Sequence, residues 1–411
     1  MKEKIIKYCD WIIEICLCLI VFCLPFTKAG TETFIWLAVF FWIFKRMLGY
    51  RSSSLWGLFP ETKLNKSLGM LVAVNAISVI FSLNHRLSLR GFFGKELKFL
   101  AIYFMVFEVI NSGRRLKNVL ITIVISVLLI LIDAAVQYFS GVDFLRGYSL
   151  ARLTASFGSA NALGGWLLIV IFIFLGLLLF KQNGGLLKKI KKNMLFGMLT
   201  ILSLICLILT YSRGAWLGFF IGVVVFIYHY VLSSLSFKNK VLWYLVIGLL
   251  SVAVFLASPQ IIQERVSSIG DMNINLNRTS LWKESISIIE DFPVFGSGLN
   301  TYSAVARNYK MREGGGIYPH NSFLQKAAET GVLGLVAFLW ILFSFFNMGI
   351  RHFKQKNNYL ILGFLSGILA FLVQSFFDTN IYSLQLVVLF WFMLGLTTAA
   401  IRIDIEEVKN R

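Results

Sequence analysis

The chain has 411 residues, of which 58% are hydrophobic, 15% aromatic and only 14% charged, with a mean hydropathy of +0.77. Soluble domains carry about 25% charged residues, so a water-soluble enzyme of this size is excluded. The 39 Lys and Arg against 20 Asp and Glu give a formal charge of +19, but the basic residues sit in short clusters between apolar stretches, which argues against a nucleic-acid partner and for a polytopic membrane protein oriented by its loops.

In chain order, apolar windows of spanning length predict twelve transmembrane helices, at 11–27, 33–48, 67–83, 97–112, 118–139, 161–180, 194–211, 214–232, 241–257, 331–349, 359–377 and 383–401. The expected fold class is therefore an all-α polytopic membrane protein, organised as a single membrane domain over residues 1–411. Lys2, Lys4 and Lys7 precede the first window like the start of a signal peptide. Asp10 and Glu14 interrupt it and no small-x-small cleavage site follows Pro25, so it reads as a retained helix. With the N-terminus inside, 24 of the 39 basic residues fall on the inner side, the bias that sets orientation, and both termini come out cytoplasmic. The loop between spans three and four runs against the rule with Arg86, Arg90, Lys95 and Lys98; this rim either attracts an anionic headgroup or is tolerated because another loop dominates. Cys9, Cys16, Cys18, Cys23 and Cys206 lie in or beside apolar segments without a C-x-x-C pair and read as packing residues.

Polar residues near the bilayer call for a reason. Asp133 and Gln137 in span five are the main intrusions of the kind a transporter needs. Arg152 precedes span six. Arg213, in Tyr211-Ser212-Arg213-Gly214-Ala215-Trp216, occupies a turn between spans seven and eight; it is either a snorkelling cation or a guanidinium fixed in depth, whose five donors suit phosphate oxygens. The single long outer segment, 258–330, holds seven basic and seven acidic residues and is expected to cap the membrane domain. It carries Arg265, a helix after Asn277 with Arg278 at its start, a stop at Pro293 and Gly296-Ser297-Gly298, and a second helix after Pro319 with Asn321 or Ser322 as N-cap and Ser322-x-x-Gln325 as a capping box. A cation opposes the positive end of a helix dipole, which favours an anionic partner at Arg278. His85, His229 and His352 are expected to face solvent. His320 precedes a helix N-terminus, whose dipole favours the neutral ring that accepts a proton. Glu329, before Gly331, and Asp378, at the outer end of span eleven, are candidates to pair with an arginine or to orient His320.

No H-E-x-x-H, G-x-S-x-G, closed Cys/His cluster or phosphate-binding loop is present. Ser212-Arg213-Gly214-Ala215-Trp216, Arg278-Thr279-Ser280-Leu281-Trp282 with Phe292-Pro293-Val294-Phe295-Gly296-Ser297-Gly298, and His320-Asn321-Ser322-Phe323-Leu324 with Glu329-Thr330-Gly331-Val332-Leu333-Gly334 together resemble, in this order, the O-antigen ligase and polymerase superfamily of bacterial membrane glycosyltransferases. Phe157-Gly158-Ser159-Ala160-Asn161 is similar to the family's Phe-Gly-Asn-Pro-Asn stretch, with Ser and Ala in place of Asn and Pro. The resemblance implies a GT-C-like fold in the bacterial inner membrane with a periplasmic site. It implies a glycan donor on undecaprenyl diphosphate, and an acceptor that is lipid A core in ligases or a growing glycan in polymerases. No cofactor and no metal are implied. Carried over, Arg213 and Arg278 match the essential arginines and His320 the essential histidine, with Arg265 and Arg152 as softer matches for donor diphosphate binding and Asn321, Glu329 and Asp378 as supporting residues. Two rivals from other classes are a twelve-span transporter and a non-catalytic scaffold.

Overall fold

The computed structural model describes residues 2–49, 59–149, 151–180, 186–230, 272–309 and 318–409. The described helices are α1 (Lys2–Cys23), α2 (Lys28–Gly49), α3 (Asn65–Ile80), α4 (His85–Gly91), α5 (Leu97–Val109), α6 (Gly113–Ser140), α7 (Ala160–Leu179), α8 (Leu186–Leu209), α9 (Arg213–Tyr230), α10 (Met272–Asp291), α11 (Tyr302–Val305), α12 (Ser322–Lys356), α13 (Tyr359–Gln374) and α14 (Leu384–Lys409). Large apolar side chains such as Phe139, Phe343 and Met198 stand exposed, as suits a surface facing hydrocarbon. The chain is an all-α, polytopic membrane protein.

The twelve-span expectation is not met. Among the described residues six helices are long and apolar enough to cross a membrane: Gly113–Ser140, Ala160–Leu179, Ile190–Leu209, Arg213–Tyr230, Ser322–Lys356 and Leu384–Glu406. The window 241–257 lies outside the described residues. Elsewhere the windows contain helix, but helix of the wrong length or charge. The 16 residues of α3 and of α13 reach about 24 Å at 1.5 Å each, short of a hydrocarbon core of about 30 Å. Helix α5 continues α4 through a π-helical stretch at Phe92–Glu96, and it holds Lys98, which pairs with Glu32 of α2 at 2.6 Å. Helices α1 and α2 carry Asp10, Glu14, Lys45 and Arg46 inside their apolar lengths. There Lys45 meets Asp10, and also Glu108 at 2.7 Å; Arg46 meets Glu108 as well, and Arg115 meets Glu14 at 2.9 Å. A hydropathy window registers apolar content, not where backbone hydrogen bonding stops or which charges find partners.

Helix α13 packs between α7 and α9, α14 runs along α5, and α3 lies on α12. Lipid tails are as apolar as the helices, so close backbone approach must supply the packing. Gly218 and Gly222 of α9 provide it: a Cβ on Gly218 would lie 2.4 Å from the Ala370 carbonyl oxygen, and one on Gly222 2.6 Å from Phe172. This brings the start of α9 against the end of α13. Helix α12 is interrupted at Gly331 (φ 67°, ψ −177°), where residues 292–298 dock.

Asp133 and Gln137 hold a loop, and a transport pathway does not need to be invoked for them. Asp133 accepts from the backbone N–H of Phe144 at 2.8 Å, and Gln137 accepts from those of Thr154 and Ala155 at 2.9 and 2.8 Å, fixing the segment that carries Arg152. His352 departs from the solvent-facing expectation: it is 5% exposed and meets Asp404 at 2.7 Å. Cys9, Cys16, Cys23 and Cys206 are buried free thiols.

Candidate active site

The turn between α8 and α9 is built to present Arg213. Tyr211 adopts a left-handed φ of 50°, a costly conformation for a non-glycine residue that surrounding contacts must hold. The Tyr211 N–H donates to the Ile208 carbonyl at 3.0 Å, Ser212 N–H to Thr210 Oγ1 at 3.2 Å, and Trp216 Nε1–H to the Leu207 carbonyl at 3.2 Å. Arg213 is thus the first residue of α9, at the positive end of the helix dipole, a placement that a bound anion relieves. The dipole argument made for Arg278 does not hold, because α10 begins at Met272 and places Arg278 in its second turn. Gly214 lets the loop after α13 close on this turn; a Cβ there would lie 3.0 Å from Phe377 Cβ.

His320 is held as firmly. It too has a left-handed φ, 46°. On one side Trp282 of α10 donates to the Pro319 carbonyl at 2.9 Å. On the other, Asn321 caps α12 by accepting from Phe323 and Leu324 N–H at 2.9 and 3.1 Å, so Asn321 and not Ser322 is the N-cap. Gln325 turns to Glu329 at 3.3 Å and makes no capping box. The Ser322 N–H donates to the Ser375 carbonyl at 2.8 Å and its hydroxyl to the Asp378 carbonyl at 2.9 Å. These bonds set His320 Nδ1 3.1 Å from Asp378 Oδ1, with 42% of the imidazole side chain exposed. Burial raises the Asp378 carboxyl, but the hydrogen bonds from His320 and from the Thr379 N–H, at 2.8 Å, outweigh it and hold the group below its ordinary range. The carboxylate accepts, so Nδ1 carries the hydrogen and Nε2 is left to act as a base.

Asp378 also lines a polar cleft of about 80 Å³ with Arg152, Arg213, Arg278, Tyr211 and Gln374. Arg152 reaches it while donating to the Thr210 carbonyl at 2.8 Å and to Asn161 Oδ1 at 3.1 Å, and Gln374 donates to the Asn161 carbonyl at 2.8 Å. Asn161, from the weaker of the resemblance's motifs, therefore ties α7 to both walls. Three guanidiniums face one carboxylate already engaged with His320. The cleft is small against ordinary ligand pockets of ~300–1,000 Å³ and fits a compact anion, not a sugar chain.

Sequence comparison shows which proteins the chain is similar to. A family model described as O-antigen ligase matches residues 198–339. A Rickettsia conorii protein whose name places it among polysaccharide ligases is 26% identical over 289 residues, 64% of this chain and 66% of its own length. The teichuronic acid biosynthesis protein TuaE of Bacillus subtilis is 22% identical over 332 residues, 74% of this chain and 64% of its own length. A Rickettsia felis protein, also named for a polysaccharide ligase, is 26% identical over 314 residues, 71% of this chain.

The likeness to the O-antigen ligase superfamily is thus concentrated in residues 198–339.

The chain spans just under two thirds of the length of the first two relatives. The region matched to the superfamily model contains Arg213, Arg278 and His320, whereas Arg152 and Asp378 lie outside it. Arg265 lies outside the described residues. Glu329 does not join His320: it is 2% exposed, accepts from the Asn300 N–H at 2.9 Å, and lines a different cavity. Among the described residues no group of three or more His, Cys, Asp or Glu is placed to hold a metal ion. Sequence reasoning passed over Gln374 and Tyr211. Gln374 is 1% exposed with its Oε1 unpartnered, and the signal was a lone amide in an apolar stretch. Nothing in the sequence marks Tyr211 as left-handed.

Proposed function

We propose that the protein transfers a glycan from undecaprenyl diphosphate to an acceptor sugar hydroxyl at the periplasmic face of the inner membrane, through a ligase-like reaction that inverts the anomeric centre. The observation that carries this reading is the convergence of Arg152, Arg213, Arg278 and the Asp378–His320 pair on one anion-sized cleft. The arginines bind the donor diphosphate. His320 Nε2 takes the proton of the attacking hydroxyl as its oxygen bonds to the anomeric carbon. The bond from that carbon to the phosphate oxygen breaks, and undecaprenyl diphosphate departs with the electron pair, its growing charge met by guanidiniums already in place. Asp378 holds the ring's tautomer and stabilises the imidazolium.

The outward placement is supported by the distribution of charge. The starts of α7 and α9 and the ends of α8 and α13 gather at the cleft, and the start of α12 is tied to it by the His320–Asp378 contact. The opposite ends carry Lys188, Lys189, Lys191 and Lys192 on α8 and Arg351, Lys354 and Lys356 on α12, as cytoplasmic ends do. The whole chain acts as one catalytic unit with 258–330 as its outer cap.

A second reading, polymerisation of repeat units on the same donor, is favoured by the likeness to a teichuronic acid biosynthesis protein, whose name points to a polymer and not to lipid A core. The purified protein in nanodiscs with lipid-linked oligosaccharide, with and without lipid A core, separates the two: one transfer to core marks ligation, a ladder without core marks polymerisation. In either assay His320→Ala loses transfer by about 10²–10⁴-fold and retains labelled donor, whereas Arg213→Ala loses retention also. Strong turnover by His320→Ala would end the proposal.

A further inference from the structure

A second cavity, of about 260 Å³, lies beyond Ser322. Ser322 lines it together with Ile381 and Tyr382, while the Ser322 hydroxyl bonds the Asp378 carbonyl at 2.9 Å and Asp378 lines the arginine cleft. The Ser322–Asp378 contact thus lies between the two spaces, and the same Asp378 holds His320. In-line displacement needs such an arrangement, with the nucleophile arriving opposite the leaving group.

The two spaces differ in charge. Lys95, Lys98 and Lys326 face Glu32, Glu96 and Glu329 around the second cavity, three cations against three carboxylates. Lys98 is already paired with Glu32 at 2.6 Å, and Lys95 donates to Asn300 Oδ1 at 2.6 Å. Of the basic rim that stands out between the third and fourth apolar windows, Lys95 and Lys98 are therefore engaged by partners within the cavity wall. What remains are hydrogen-bonding groups over an apolar wall that includes Trp391 and Phe99. Glu96 Oε1 is shielded from solvent and makes no hydrogen bond, and the Tyr382 hydroxyl, equally shielded, has the Glu329 side chain beside it. A buried polar atom without a partner is costly. Burial, and after it the nearby Glu329, pushes the Tyr382 hydroxyl well above its ordinary pKa, so it stays a neutral donor.

We infer that this cavity receives the uncharged terminal sugar of the acceptor glycan, with Tyr382 and Glu96 hydrogen-bonding its hydroxyls. The inference rests on the transfer reaction proposed above, since the acceptor must reach His320 from the side the diphosphate does not occupy. Its volume falls just below the ~300–1,000 Å³ of pockets for larger ligands, room for a terminal sugar and not for a chain.

The test uses the full-length protein in nanodiscs and two probes: undecaprenyl diphosphate, and the neutral oligosaccharide released from the source cell's own surface polysaccharide. Tyr382→Phe removes a single hydroxyl and keeps the ring in place, so folding is expected to survive. It should weaken oligosaccharide binding about threefold to tenfold, the worth of one hydrogen bond, and leave undecaprenyl diphosphate binding unchanged. Arg213→Ala should do the reverse. Oligosaccharide binding that ignores Tyr382→Phe, or a loss shared equally by both probes, would overturn the assignment. Undecaprenyl diphosphate binding without oligosaccharide binding would sink the cavity alone; failure of undecaprenyl diphosphate to bind the parent would sink the transfer reading with it.

Discussion

The arginine cleft and the seam between residues 292–298 and 328–332 are both made from motifs that stand out in the sequence, and they use them in opposite ways. At the cleft, side chains matter: charged groups from α9, α10 and the loop after α13 converge on an open space. At the seam, the absence of side chains matters. Ser297 and Gly298 N–H donate to the Ala328 and Glu329 carbonyls at 2.9 and 3.0 Å, and Val332 N–H to the Pro293 carbonyl at 2.8 Å. A Cβ on Gly331 would lie 2.1 Å from the Val294 carbonyl oxygen, and one on Gly296 2.3 Å from the Glu329 carbonyl carbon. The seam locks the segment carrying Arg278 to the helix that follows His320, so that in the proposed reaction the cleft performs the chemistry and the seam sets its geometry. Small substitutions in the two should then fail by different routes.

The largest effect is expected at the Asp378–His320 pair. Asp378→Asn preserves shape but gives Nδ1–H a weaker, neutral acceptor and allows the wrong tautomer. Turnover should fall by about 10²–10⁴-fold, with the thermal midpoint close to that of the parent. A variant that keeps half its turnover would remove Asp378 from the mechanism and leave the cleft as a binding site alone. Gly331→Ala should act in the opposite sense. The left-handed φ and the backbone contact together cost about 2–5 kcal/mol, seen as a lower midpoint and less folded protein, while turnover per folded molecule is retained. Equal losses of turnover and stability in both variants would dissolve the distinction between the regions.

Much of this site was legible in the sequence because arginine, histidine and glycine near a bilayer each cost something and so call for a reason. Arg213, Arg278 and His320 stand out for that reason, and the structure brings Arg213 and Arg278 into one cleft and joins His320 to it through Asp378. The roles of Asp378 and Glu329 could not be separated, because the choice depends on which way α12 turns at Gly331. Glu329 lies before the break and is drawn by the backbone of Asn300 into the second cavity, while Asp378 arrives from α13 by way of the Ser322 bonds. The span count failed for a related reason. Apolar length was visible, but the ion pairs through which α1, α2, α5 and α6 hold their charges connect residues as far apart as Glu14 and Arg115.

Arg213→Lys gives an intermediate effect. Lysine keeps the charge at the start of α9 but presents a point donor where the guanidinium offers a fork, so donor affinity should weaken about tenfold, with no change in acceptor dependence. Donor titration of both proteins checks this. Equal affinity would mean that the cleft reads charge without geometry, which would also weaken the case for Arg278.

The smallest expected effect is that of mild acid on the Asp378 contact. Its carboxyl is held below the ordinary value of 3.8, so the contact contributes stability that is fully present above that value and is lost as pH falls through the depressed one. The difference in thermal midpoint between the parent and Asp378→Asn should therefore not shrink between pH 7 and pH 5, and should close only in stronger acid, below about pH 4. Closure already between pH 7 and 5 would mean that Asp378 is protonated near neutrality. It would then donate its hydrogen bond to His320, the ring would carry the opposite tautomer, and Nε2 would no longer be the atom free to take a proton.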